Sequence, residues 1–185
     1  MPVTIRRAGR ADAAAISRIR VDTWRTAYAG LVPAPVLERL DAEREALRRA
    51  DTWDELHRDE RATDLLAEDD GAPVGWAAYG PSVDPEREGS GQVYALYALA
   101  ERWSTGVGHR LMTACEEGLR AQGFTAAHLW VLDGNARAAD FYRRHGWVED
   151  GGILVDERTV DGVVAYSLWE RRHVRDLTRP AAPPS

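Results

Sequence analysis

Lysine is missing altogether: all 24 basic residues of the 185 are arginine. A chain without lysine has no Walker-type phosphate lysine, no Schiff-base nucleophile and no lysine general base. Cysteine occurs once, at Cys115, so an internal disulfide is impossible and a cysteine metal cluster is excluded. It falls on the stripe Val107, Leu111, Cys115, Leu119, whose i, i+4 spacing marks a buried helix face and a structural thiol. Positive charge is outweighed, 24 basic against 30 acidic residues, and the net charge of −6 argues against a nucleic-acid surface while tolerating a cationic small substrate. No apolar run approaches the roughly 18 residues that span a bilayer, and MPVTIRRAGR lacks the apolar core of a signal peptide. A cytoplasmic location without a membrane partner is expected. His57, His128, His145 and His173 stand at spacings without metal-ligand logic, and no metal is expected.

What is present suits one α/β domain over 1–175, followed by a Pro- and Ala-rich tail over 176–185 expected to be disordered. A strand is expected over 3–6. Asp12 is expected to cap a helix whose Ile16, Ile19, Thr23 and Ala27 keep a helical period, stopped by Gly30, Pro33 and Pro35. A short helix over 35–40 and a charged one capped by Asp41, running to about 58, follow. Strands over 63–68 and 74–79 flank Asp69-Asp70-Gly71 as a hairpin, and 80–91 reads as a loop. Then come strand 92–99, helix 105–122, strand 126–132, helix 135–145, strand 147–153 and, after a turn at Asp161-Gly162, strand 163–170.

The stretch 92–111 carries the chemistry. A strand runs into Gly106-Val107-Gly108, which opens directly into an amphipathic helix. The first turn of a helix has four unpaired N–H groups and partial positive charge, and glycines let a bulky anion approach them. A structural turn remains open on this evidence alone. A dinucleotide site would need a third glycine near Leu111 and an acidic residue on the next strand, and neither is present.

Leu96-Tyr97-Ala98, the run Arg102-Trp103-Ser104-Thr105-Gly106-Val107-Gly108, and 129–147 with Asn135 and Phe141-Tyr142-Arg143-Arg144-His145-Gly146-Trp147 together resemble the GNAT superfamily of acyl-CoA N-acyltransferases. The resemblance implies a GNAT fold: a mixed, mostly antiparallel central sheet with a splayed parallel strand pair, flanked by helices. It implies acetyl-CoA as acyl donor, its pantetheine arm paired with the main chain of Leu96, Tyr97 and Ala98. The diphosphate would rest on the N–H groups of Ser104, Thr105, Gly106, Val107, Gly108, His109 and Arg110, with Arg102, His109 and Arg110 adding charge. Asn135 would cap its helix and reach the pantetheine or diphosphate, and Tyr142 would be the catalytic acid that protonates the departing thiolate, since a phenol with pKa of about 10 suits a thiolate of about 8.5. Trp103 stands where the family has Gln or Arg, and Ser104 where a glycine commonly follows, which touches cofactor affinity rather than identity. Trp24 and Tyr28, four apart on the first helix, would wall the acceptor pocket together with Tyr94. No general base is assigned; Tyr94, Glu101 and Asp133 are the nearest candidates, beside an ordered-water route. The implied function is transfer of acetyl to a primary amine of a small molecule within a ternary complex. Alternatives are an acyl-CoA-binding regulator without turnover and a protein lysine or N-terminal acetyltransferase; a homodimer is left open.

Overall fold

The computed structural model describes residues 3–160 and 163–179, with the side chains of 158–165 left aside. In chain order, β1 (Thr4–Arg7) leads into α1 (Ala13–Ala27), α2 (Ala34–Glu38), α3 (Ala42–Asp51) and α4 (Trp53–Leu56). There follow β2 (Thr63–Asp69), β3 (Ala72–Pro81), β4 (Gly91–Ala98), α5 (Val107–Ala121), β5 (Ala126–Leu132), α6 (Ala136–Arg144), β6 (Val148–Val160) and β7 (Val163–Asp176). The strands form one sheet in the order β1-β2-β3-β4-β5-β7-β6. Every neighbouring pair is antiparallel except β4 and β5.

That parallel pair positions the site. Its ladder holds only Gly91 against Ala127 and Gln92 against His128, after which the strands part. On its other edge β4 carries a bulge: Ala78 faces Ala95 but Tyr79 faces Val93, so Tyr94 is the extra residue. A bulge bends its strand and sharpens the local twist, which turns β4 away from β5.

Both faces of the sheet are covered. Val107, Leu111, Met112, Cys115 and Leu119 of α5, all fully buried, pack with Tyr142 of α6 against Leu65, Val93, Leu129 and Val131. On the opposite face Ile16 and Ile19 of α1 meet Leu66, Trp76 and Ala78. A smaller cluster of Val32, Leu37, Leu132 and Leu168 closes the C-terminal side, with Trp24 and Tyr28 against it. The buried carboxylate of Glu116 accepts from Trp147 Nε1 at 3.0 Å and Arg120 at 3.0 Å, tying α5 to the start of β6.

Several expectations shift. Asp12 does not cap α1; its carboxylate accepts from the Gly9 N–H at 2.9 Å and pairs with Arg6, because a short 3-10 turn precedes the helix. Asp41 does cap α3 through Glu43 and Arg44, but the helix breaks at Thr52 into α3 and α4. The last strand continues to Asp176, and Leu177 is buried with its N–H on the Thr125 carbonyl, so the folded chain passes the boundary expected at 175. The turn at Asp161-Gly162 and residues 180–185 lie outside the described residues. Among the described residues no helix is long and apolar enough to cross a membrane.

Candidate active site

The splay opens two clefts that meet between β4 and α6. One, of about 460 Å³, lies beside the N-terminus of α5 and is lined by Ser104, Gly106, Gly108, His109, Arg102 and Arg144 among others. The second, of about 290 Å³, lies on the α1 side of the gap between β4 and β5 and is lined by Trp24, Tyr28, Tyr94, Trp130, Asn135 and Glu170 among others. Leu96, Tyr97, Arg137, Ala138 and Tyr142 border both.

The glycine turn has the geometry an anion seat requires. Gly106 takes φ +93°, which glycine adopts freely, and the space a Cβ would fill is open. Gly108 faces Phe141 of α6 across the cleft. The first intrahelical bond runs from the Arg110 N–H to the Gly106 carbonyl at 3.0 Å, so the amides of Val107, Gly108 and His109 precede it and lack an intrahelical acceptor. Arg110 therefore drops out of the expected donor set: its amide is inside the helix, and its exposed side chain borders neither cleft. Thr105 also turns away, its hydroxyl on the Arg102 carbonyl at 2.8 Å. Arg102 is ion-paired with Asp69 at 2.6 Å. Ser104 adopts φ +62°, the left-handed conformation that a glycine would take without cost.

Trp103 packs, and its packing is specific. Its Nε1–H donates to the Ala98 carbonyl at 2.8 Å, and the Arg137 guanidinium lies 3.4 Å from its ring centroid. A cation therefore enters this end of the cleft from α6, stacked on the indole.

The β4 main chain divides unequally. Leu99 donates to Val74, and since antiparallel pairs alternate, Tyr97 pairs fully with Trp76 while Leu96 and Ala98 turn their N–H and C=O toward the gap. Of the three residues expected to pair with a pantetheine arm, the Tyr97 backbone is thus committed to β3. The Ala98 carbonyl is already held by Trp103 and, at 3.3 Å, by Thr23. What Tyr97 offers is its side chain, whose hydroxyl accepts from Trp24 Nε1 at 3.1 Å. Trp24 in turn meets Tyr28 edge to face, ring centroids 4.8 Å apart.

Asn135 caps α6, Oδ1 accepting from the Ala138 N–H at 3.2 Å; it borders the cleft on the α1 side and not the one beside α5. Tyr142 is 8 % exposed, and burial pushes its phenol well above the ordinary value, with Tyr97 adding and the Arg137 guanidinium opposing. The ordinary pKa expected for it is therefore corrected upward. The Tyr94 hydroxyl donates to the Pro81 carbonyl, and burial pushes its pKa up to about 12. Glu101 and Asp133 border neither cleft, and Asp133 pairs with Arg171 at 3.3 Å.

Residues 18–147 match the Acetyltransferase (GNAT) family. The chain belongs to that family. It is accordingly an acyltransferase, and the enzyme is 32 % identical over 134 residues to the uncharacterized N-acetyltransferase YuaI of Bacillus subtilis (strain 168), covering 72 % of this chain and 73 % of that one. Among solved structures it is similar to the PaiA N-acetyltransferase of Thermoplasma acidophilum in complex with coenzyme A, at 16 % identity and TM-score 0.67 over 92 % and 98 % of the two chains. YncA of Salmonella typhimurium, solved with acetyl-CoA, matches at 20 % identity and TM-score 0.66 over 100 % and 99 %. These likenesses carry the fold, including the mixed sheet with its one parallel pair.

Three features of this enzyme escaped the sequence. Arg137 sits four residues before Phe141, on the helix face that also holds Ala138 and Tyr142, and that spacing was a usable signal. Glu170 shares a strand face with buried Leu168, two residues earlier, but its place beside the gap depends on β7 pairing with Leu132. His109 and His145, 36 residues apart, meet with Nδ1 and Nε2 at 2.9 Å, and burial lowers the pKa of His145.

Proposed function

We propose that the enzyme transfers an acetyl group from acetyl-CoA to a primary amine of a small molecule, by direct attack within a ternary complex. The observation that carries this reading is the convergence of the two clefts on one border of Leu96, Tyr97, Arg137, Ala138 and Tyr142. The cleft beside α5 is lined by Arg102, Arg137 and Arg144 with two histidines and no carboxylate among the described residues, which suits a diphosphate.

With the diphosphate on the amides of Val107 to His109, the pantetheine arm enters the gap and pairs with the outward-turned main chain of Leu96. A backbone N–H there polarises the thioester carbonyl. The amine, having lost its ammonium proton, attacks the carbonyl carbon; a C–N bond forms, the C–S bond breaks, and the electron pair leaves on sulfur. Tyr142 gives its proton to the thiolate, the attacking nitrogen releases its second proton to solvent, and the phenolate of Tyr142 takes a proton back from solvent before the next turnover. Arg137 opposes the effect of burial on that phenol and so eases the transfer. Much of the rate comes from aligning amine and thioester.

Two measurements test this together: calorimetric titration with acetyl-CoA, and release of the CoA thiol in the presence of a panel of small amines and a short peptide. Micromolar binding with turnover on small amines is expected. Binding without turnover on any of them favours a regulator, and turnover on the peptide alone favours protein acetylation.

A further inference from the structure

His109, in the first turn of α5, and His145, just past the end of α6, both border the cleft beside α5, and their rings meet with Nδ1 and Nε2 2.9 Å apart. A bond between two ring nitrogens takes one hydrogen, and a third group fixes which ring supplies it. The other nitrogen of His145, Nδ1, lies 2.8 Å from the Phe141 carbonyl, which can only accept. His145 Nδ1 therefore carries a hydrogen, a neutral His145 leaves Nε2 bare, and His109 Nδ1 donates to it. With Nδ1 spent on His145, only Nε2 of His109 is left for the cleft, and no hydrogen bond within the described residues occupies it. In the neutral ring that nitrogen is an acceptor, which repels a phosphate oxygen; protonated, it is a charge-assisted donor.

The surrounding charges settle which ring takes a further proton. Burial holds His145 below the ordinary imidazole value; the Phe141 carbonyl and Glu116 pull the other way, while His109 and Arg144 add to the effect of burial. Glu116 is itself engaged by Arg120 at 3.0 Å and by Trp147 Nε1 at 3.0 Å. Arg102 and Arg137 line the same cleft, the first paired with Asp69 at 2.6 Å and the second stacked on Trp103, and burial keeps the Tyr142 phenol protonated. A positive charge on the pair thus settles on His109, the ring whose second nitrogen is open. An anion entering this arginine-lined cleft favours that charge.

Resting on the reading of this cleft as the seat of the acetyl-CoA diphosphate, we propose that His109 binds a phosphate oxygen through Nε2, that His145 is the positioning residue that turns it there, and that the pair takes up a proton as the donor binds. Linkage fixes the sign. A proton held more tightly in the complex makes affinity full at low pH, and that part of the affinity is lost as pH rises through the range in which the bound ring gives the proton up. An imidazole ordinarily titrates near 6.5 and an adjacent anion moves it upward, so the change falls between about pH 6 and about pH 8.5.

The test is calorimetric titration of the full chain from pH 6 to 8.5, in two buffers of different ionisation heat, with acetyl-CoA and with acetyl-dephospho-CoA. The second ligand lacks the 3′-phosphate, a monoester that itself titrates near pH 6. Wild type is expected to take up a proton with both ligands and to bind each roughly tenfold more weakly at pH 8.5 than at pH 6, the margin of a charge-assisted over a neutral hydrogen bond. His109→Gln keeps the amide of residue 109 but has no ring to protonate. It is expected to bind about as wild type does at pH 8.5, roughly tenfold more weakly at pH 6, and without proton uptake from acetyl-dephospho-CoA. His145→Gln offers an oxygen to His109 Nδ1 and should keep most of the pH dependence; His145→Leu offers none and should lose most of it. Wild type that binds acetyl-dephospho-CoA with no proton uptake, or His109→Gln that keeps the uptake, overturns the assignment alone, and equal slopes in His145→Leu and wild type remove His145 from it. Thermal melts check that the variants fold, and where they do not, the wild-type proton count stands as the test. Wild type that binds neither ligand at any pH overturns the reading of this cleft as the donor's seat as well.

Discussion

Tyr142→Phe removes one oxygen and keeps the ring that sits, 8 % exposed, beside Phe141 and the α5 core. The backbone carbonyl of residue 142, which accepts from the Trp147 N–H at 3.0 Å, is unaffected. The expected stability change is therefore under about 1 kcal/mol, the net worth of a single neutral hydrogen bond. Acetyl-CoA affinity is expected to hold, because the proposed complex seats the diphosphate on α5 and contacts the pantetheine through main chain. If Tyr142 supplies the thiolate proton, kcat falls by roughly a hundredfold or more, about 3 kcal/mol on the barrier.

The pH dependence separates this from a loose fit. A CoA thiol with pKa of about 8.5 leaves unassisted more readily where its thiolate is the stable product, so the deficit of the variant should shrink as pH rises from 7 to 10. Deprotonation of the amine affects both enzymes alike and cancels in the ratio. Wild type shows no alkaline loss from Tyr142 itself over that range, since burial holds the phenol protonated. Initial rates of CoA thiol release at several pH values, with calorimetric acetyl-CoA affinity and a thermal melt as controls, decide the matter. Equal turnover, or a deficit that stays flat from pH 7 to 10, refutes the proton-donor role.

Other outcomes follow from single contacts. Ser104→Gly relieves a left-handed backbone worth roughly 1–2 kcal/mol and loses about half of that to chain entropy, so a gain near 0.5 kcal/mol in urea melts is expected; a loss of stability would contradict the strain. Trp103→Ala releases Arg137 and the Ala98 carbonyl and should weaken acetyl-CoA about tenfold by calorimetry, whereas Trp103→Phe, which keeps a ring under Arg137, should weaken it less; equal affinity in all three would show the stack is idle. Burial raises the pKa values of Cys115, Tyr142, Tyr28, Tyr79 and Tyr94. The folded state then keeps protons that the unfolded chain releases above about pH 8.5 for the thiol and 10 for the phenols, so stability is complete below those values and falls as pH rises past them. The slope is at most about 1.4 kcal/mol per pH unit for each of Cys115 and Tyr142, less for the half-exposed Tyr94, and a stability flat to pH 11 would disprove it.

Local signals were legible wherever a single segment decides its own conformation. The Asp70-Gly71 turn, with both residues at positive φ, Asn135 as a cap and the bounds of β5 all follow from short-range chemistry. Features that depend on which strand faces which were not. The commitment of the Tyr97 backbone to β3 comes from narrow and wide pairs alternating from Leu99 inward, and no composition of 96–98 encodes that phase. The same holds for Glu170, whose place in the second cleft depends on lying beside Leu132. β7 outran expectation because it pairs with β5 through Asp176, a ladder that sequence periodicity beyond Glu170, through arginines and a histidine, does not announce. His109 and His145 carried no spacing signal because they meet from the start of α5 and the end of α6, with the whole of β5 between them in the chain.

The departures at Trp103 and Ser104 make physical sense together. An arginine or glutamine at position 103 would place a polar group at the phosphates from the loop itself. Here the indole turns inward, closes the end of β4 by donating to Ala98, and becomes the platform for a guanidinium that arrives from α6. That guanidinium sits at the border of both clefts and within electrostatic reach of Tyr142, so in the proposed reaction a single charge would serve both the donor's anionic side and the proton-donating phenol. The next residue, Ser104, lies in the left-handed region, a strain we attribute to holding the indole in that pose. If this reasoning holds, Ser104→Gly should stabilise the wild type more than it stabilises Trp103→Ala, in which no indole needs to be held. A double-mutant cycle in urea melts measures the difference, and a coupling of zero would sever the two departures.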